Sequence, residues 1–278
     1  MSEGKPRRRW PTLEILAMEF STAYRFPIPE VLIFLYVFFP LFFSHVARAI
    51  PVSTEEASLL LVISLSQGVM GLITLILILR NVAYGLANEI KKGLMQTYLT
   101  YPVGRGRLLL VKLISGILVP IGFVATSVLV FTAINFPELA LKYPHVLVVG
   151  LASSLGEILL LGSIMFLSAI IIKRGGTSLA VGIALMFILQ IADLALSITA
   201  SITGWEGLWH IRYLLGPSLA FLTYYQAPGA QAGVVVSDGE TFVPEFWECM
   251  GYLVGHYALI IAICLASLIY FMRRFEPT

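Results

Sequence analysis

Charge is scarce in this sequence. Asp, Glu, Lys and Arg make up 12% of its 278 residues, about half the share of a soluble domain. Hydrophobic residues make up 58%. A soluble fold of this size has too little interior to hide so much apolar surface. The composition excludes a soluble globular enzyme, a nucleic-acid-binding module and a disordered chain. Cysteine is scarce too. Cys249 and Cys264 exclude a disulfide scaffold and a multi-cysteine zinc site, and a bridge between them is not expected. No G-x-x-x-x-G-K-[ST] phosphate loop is present. The nearest glycine clusters, Gly104-Arg105-Gly106 and Lys173-Arg174-Gly175-Gly176, follow no strand and cannot cradle phosphates. H-E-x-x-H and G-x-S-x-G are also missing, which weighs against a membrane enzyme.

What the sequence has is long apolar runs. A crossing helix needs about 20 such residues. Six runs qualify, at 31–47, 58–79, 108–135, 146–172, 178–200 and 250–272. They predict an all-α integral membrane protein with six transmembrane helices in a single domain, 1–278. The first run carries Pro40, which spanning helices tolerate. Alternating the six runs across a bilayer sorts the basic residues. Fifteen of the eighteen Lys and Arg fall on one side; Arg48, Lys142 and Arg212 fall on the other. The positive-inside rule then puts both termini in the cytoplasm of a multi-pass cell-membrane protein. The basic start of the chain runs into Pro11 and a mixed helix, so it is not expected to be a cleavable signal.

The connecting segments have character of their own. In 11–26, Leu13, Leu16, Ala17, Phe20 and Tyr24 recur at helical spacing, with Glu14, Glu19 and Arg25 among the polar positions. This predicts a helix lying in the membrane interface among lipids. Segment 80–107 is read as the main cytoplasmic loop, helix-compatible over 86–99 and stopped at Tyr101-Pro102. Segment 136–145 is a short outer loop, and 173–177 a tight cytoplasmic turn. Segment 201–249 is too interrupted at Gly216-Pro217 to cross. It predicts an outer cap of re-entrant or interfacial helices, with a hairpin signal at Asp238-Gly239.

Residues 87–116 read ANEIKKGLMQTYLTYPVGRGRLLLVKLISG. They resemble the cytoplasmic signature of ABC transporter permeases of the second type, the exporter-like family. Matching positions are Glu89, Gly93, Leu99, Thr100, Pro102, Val103, Arg105 and Lys112. Gly104 stands where that family commonly has Ser, and Leu94 and Met95 where it commonly has Thr. The interfacial helix, the six spans and the outer helices before the last span fit the same family layout. The resemblance implies a membrane subunit of an exporter that is not itself an ATPase. Two permease subunits, as homodimer or heterodimer, would dock on two cytoplasmic ABC ATPase subunits, and these would bind the ATP and magnesium. A helix around 88–99 would enter a cleft on the ATPase. Glu89, Lys91, Lys92, Gly93, Gln96, Pro102 and Arg105 would belong to that joint, with Leu94 and Tyr98 as anchors.

Glu157, Gln190 and Asp193 fall inside predicted spans. An ionised carboxylate there costs at least about 2.5 kcal/mol. They either line a translocation path or are hydrogen-bonded to Ser and Thr and tie helices together. Ser153, Ser154 and Ser163 are the expected neighbours of Glu157, and Ser197 that of Asp193. Lys112 lies near a span end and is expected to snorkel to the headgroups. His45, His145, His210 and His256 are too dispersed to argue a metal site. The alternative function is a stand-alone channel or ion-coupled secondary transporter using Glu157 and Asp193. That reading calls for repeated halves with broken helices, and the sequence shows no such repeat.

Overall fold

The computed structural model of the chain describes residues 11–24, 30–38, 54–99, 104–227 and 242–274. The described residues form helices, and five of these are long and apolar enough to cross a membrane. In chain order the helices are α1 (Pro11–Ala23), α2 (30–38), α3 (Glu55–Lys91), α4 (Leu94–Leu99), α5 (Arg105–Asn135), α6 (Pro137–Lys142), α7 (Pro144–Ile172), α8 (Gly175–Thr203), α9 (Glu206–Leu215), α10 (Pro217–Gln226) and α11 (Phe246–Arg274). The five candidate spans are α3, α5, α7, α8 and α11. The run expected as a sixth, 31–47, is helical in α2, and its remainder lies outside the described residues. So does the Asp238-Gly239 hairpin signal.

Helix α3 departs from the sequence reading. The apolar run ends at 79, but the helix continues without a break to Lys91. At about 1.5 Å per residue its 37 residues reach roughly 55 Å. Thr54 opens it: the Ala57 N–H donates to the Thr54 hydroxyl oxygen (3.1 Å), and that hydroxyl donates to the Tyr225 carbonyl (3.0 Å). Glu55 and Glu56 in the first turn suit the helix dipole. The expected loop segment begins as a π-helical stretch, Leu79–Leu86, which buries Leu79, Val82, Ala83 and Leu86. Helix α8 comes in close there. A Cβ on Gly182 would lie 2.5 Å from Leu79 Cδ2. A second π stretch, Ile114–Leu118 in α5, packs against the first. Such stretches arise where a helix absorbs an extra residue to keep its packing, often near functional sites.

Helix α7 is the central post, packed chiefly against α11 and α3 and also touching α8 and α10. Lys173 and Arg174 alone join it to α8, with Lys173 in the left-handed region (φ 56°). Helix α8 is the least covered span and exposes Phe187, Ile191, Leu194 and Ile198 along its length. At the end away from the basic residues, Pro137 and Pro144 start α6 and α7. There Lys142 Nζ donates to Glu55 Oε2 (2.6 Å), and the Tyr143 hydroxyl donates to the same oxygen (3.1 Å). The bond to Glu55 holds the Lys142 pKa above its ordinary value.

The segment between α8 and α11 holds α9 and α10, ten residues each, meeting at Gly216. Each is roughly 15 Å long, half of what a crossing requires. Helix α9 packs on α8 and α11; α10 packs on α3, α7 and α11. The buried Tyr213 hydroxyl donates to the Phe242 carbonyl (2.6 Å) and ties α9 to the lead-in of α11.

Candidate functional site

Two polar constellations stand out, one at the basic end and one inside the bundle. The first is built around Lys112. Its ammonium pairs with Glu19 of α1 (Nζ–Oε1 2.6 Å) and with Glu89 of α3. Lys112 is only 5% exposed. The sequence reading sent this side chain out to the headgroups. The fold overturns that, because α1 and the lower end of α3 bring two carboxylates to it. A buried ammonium satisfied twice by opposite charge has no reason to leave. Glu89, 26% exposed, pairs its carboxylate with Lys112.

Helix α1 is turned accordingly. Its apolar positions Leu13 and Phe20 are exposed, while Ile15 and Glu19 face the protein. Tyr24 closes the α1 segment by donating from its hydroxyl to the Ser115 carbonyl (2.9 Å), in the π stretch just after Lys112.

Beyond the ion cluster the chain breaks. Lys92 closes α3, and Gly93 takes φ 73°, the left-handed conformation in which glycine has no Cβ penalty. Helix α4 follows directly. Lys91, Lys92 and Leu94 are exposed, Met95 is buried, and Arg105 is exposed at the start of α5. The side chains of Gln96 and Tyr98, and all of Pro102, lie outside the described residues.

The second constellation lines a cavity of about 500 Å³ between α3, α7, α8 and α10. Glu157, Gln190 and Asp193 all line it, so the fold brings these three polar positions together. Their partners differ from those expected. Glu157 accepts a hydrogen bond from the Ser218 hydroxyl of α10. The serines near it in sequence are occupied within α7: Ser153 and Ser154 donate to the Gly150 carbonyl (3.1 and 2.7 Å), and Ser163 to the Leu159 carbonyl (2.7 Å). This is the usual fate of Ser inside an apolar helix. Asp193 is paired with Arg212 of α9 (Nε–Oδ1 2.8 Å), whose guanidinium lies 5.4 Å from the Trp209 ring centre. Ser197 plays no part in that pair.

The cavity also has polar residues that the sequence reading passed over, Ser64 and Gln67 of α3. Gln67 is 2% exposed, and neither its amide oxygen nor its nitrogen has a hydrogen-bond partner; the Ser64 hydroxyl also lacks one. A signal existed. Ser64, Gln67, Gly68 and Gly71 recur at three- and four-residue spacing and mark one polar, small-residue face of α3.

His256, fully buried on α11, bonds through Nδ1 to the Leu214 carbonyl (2.8 Å). His210 Nδ1 shares a hydrogen bond with the Tyr252 hydroxyl. Among the described residues no three His, Cys, Asp or Glu side chains are grouped to hold a metal ion. Cys249 and Cys264 are both free. No protein-family model matches the chain, and a search of curated proteins finds no similar sequence.

Proposed function

We propose that this chain is the membrane-spanning subunit of an ABC-type exporter, with six spans, both termini cytoplasmic and the outer helices α9 and α10 dipping back into the membrane. Two such subunits pair and dock on two ATPase subunits, which bind ATP and magnesium. The observation that supports this best is the continuity of α3. Ser64, Gln67 and Gly71 on its outer half line the polar cavity. Its other end carries Glu89 and the exposed Lys91, then the turn at Gly93 into α4. One rigid element therefore links the basic end to the cavity. A displacement of α4 by a docked ATPase reaches the cavity along α3 without any intervening joint except the π stretch.

Lys112 fixes the lever. It ties the lower end of α3 to α1 and α5, so the three move as a unit. Lys91, Lys92 and Leu94 are the exposed side chains at the turn and supply the docking contacts. Glu157, Gln190 and Asp193 line the path. An ion-coupled transporter working through Glu157 and Asp193 is less favoured, since Arg212 already neutralises Asp193.

The test is co-purification. The full chain extracted in mild detergent is expected to bring with it a soluble protein carrying a Walker phosphate loop. Leu94→Asp together with Tyr98→Asp is expected to abolish that capture while the chain remains membrane-inserted. A wild-type chain that emerges alone from several detergents, or a double variant that still retains the ATPase, removes this assignment.

A further inference from the structure

The cavity has walls of one electrical sense. Its charged lining is two carboxylates, Glu157 and Asp193; among the described residues no Lys, Arg or His lines it. Arg212 neutralises Asp193 from outside (2.8 Å). Glu157 has a neutral donor, the Ser218 hydroxyl. His256 lies behind Gly156, where a Cβ would come 3.0 Å from the imidazole Cδ2. A carbonyl only accepts, so His256 Nδ1 carries a proton and donates to Leu214; Nε2 has no partner. The Glu157 carboxyl lines the cavity with no ion-pair partner among the described residues.

A second, independent feature lies in the wall of the same space. Gln67 is buried to 2% exposure on the cavity wall with both ends of its amide unpartnered, and Ser64 stands one turn away with a free hydroxyl. Buried amides are rarely left so, because the lost hydrogen bonds are costly. The rest of the lining is apolar, with Leu72, Leu75 and Leu189 among it. A volume of about 500 Å³ falls within the range of small-molecule sites. It far exceeds what a water bridging Gln67 to Ser64 would occupy.

We propose that this cavity binds an amphiphilic organic cation, with its positive head at Glu157, its polar atoms within reach of Gln67 and Ser64, and its apolar body against the leucines of α3 and α8. That the cation is the transported cargo rests on the exporter reading; that it binds does not.

Two ions of matched shape and opposite charge make the test: tetraphenylphosphonium and tetraphenylborate. Each is titrated by equilibrium dialysis against the full chain in lipid nanodiscs, with empty nanodiscs subtracted. Tetraphenylphosphonium is expected to bind saturably at one site per chain, and tetraphenylborate not to saturate. Glu157→Gln keeps the acceptor for Ser218 and removes the charge; it is expected to weaken phosphonium binding about tenfold or more. Gly68→Leu is the steric control. A Cβ at Gly68 meets nothing within 4 Å, and Gly68 lines the cavity, so the larger side chain is expected to occupy cavity space and abolish binding. Monodisperse elution and an unchanged melting temperature establish that both variants are folded. Equal saturable binding of the two ions, no phosphonium binding by the wild type, or affinities within about twofold of wild type in both variants overturns the proposal. These results separate from the exporter reading. Failed binding in a chain that still captures an ATPase removes the cation site alone. Charge-selective binding in a chain that never captures one keeps the site and removes the exporter.

Discussion

A single buried ammonium does much to organise the basic end. Lys112 holds two carboxylates from two other helices, and its removal leaves Glu19 and Glu89 without their shared counter-charge in a largely covered space. Breaking one side of a buried ion pair costs on the order of 3–5 kcal/mol, because the remaining charge is stranded. Lys112→Met is therefore expected to lower the detergent-solubilised melting temperature markedly. Adding Glu89→Gln to it should recover part of the loss, since one stranded carboxylate is gone. A single variant that melts with the wild type would mean the cluster is solvated and contributes little. The same residue shows why site residues are hard to read from one strand of sequence. The position of Lys112 on its own helix points it to the headgroups. Its partners come from 93 residues before it and from 23 before it, and nothing in local spacing announces either. Glu157 repeats the lesson: its partner Ser218 lies 61 residues away on a helix that the apolar runs do not count.

At the scale of the element, what was legible was length and apolarity. Helices α3, α5, α7, α8 and α11 stand where runs of apolar residues stand. The end of α3 was not legible, because hydropathy drops at Arg80 and Asn81 while nothing there breaks a helix. The backbone passes Arg80 as a π stretch, with the Arg80 guanidinium donating to the Ala23 carbonyl (3.4 Å), and stops only where Gly93 allows φ 73°. Gly93 is thus the point that sets the angle between α3 and α4. Replacing it by Ala puts a Cβ into the left-handed region at a cost of about 1 kcal/mol. On the proposed exporter reading, Gly93→Ala is expected to leave expression and membrane insertion unchanged but to reduce the transport-linked stimulation of a co-purified ATPase severalfold. Full stimulation in that variant would separate the turn geometry from coupling.

The whole molecule is organised by an asymmetry of charge across its long axis. The lower ends of the long helices gather at one level. Asn88 of α3 abuts Gly175 of α8, where a Cβ would fall 2.5 Å from the amide oxygen, and Gly106 of α5 sits against Leu268 and Met272 of α11. These contacts collect Lys91, Lys92, Arg105, Lys112, Arg174 and Arg273 at that end, whereas Lys142 and Arg212 belong to the other. The proposed orientation, from the positive-inside rule, would put α4 in the cytoplasm and α9 outside. Single cysteines introduced into a Cys249→Ala, Cys264→Ala background read this directly. Glu206→Cys, on the exposed start of α9, is expected to react with a membrane-impermeant maleimide in intact cells; Lys92→Cys is expected to react only after permeabilisation. The outcome bears on more than topology. ATP is held inside the cell, so an ATPase can drive α4 only from the cytoplasmic face. If Lys92→Cys were the one labelled in intact cells, the docking surface would face away from its energy source. The lever along α3 would then have to be worked from the cavity end, by whatever binds at Glu157.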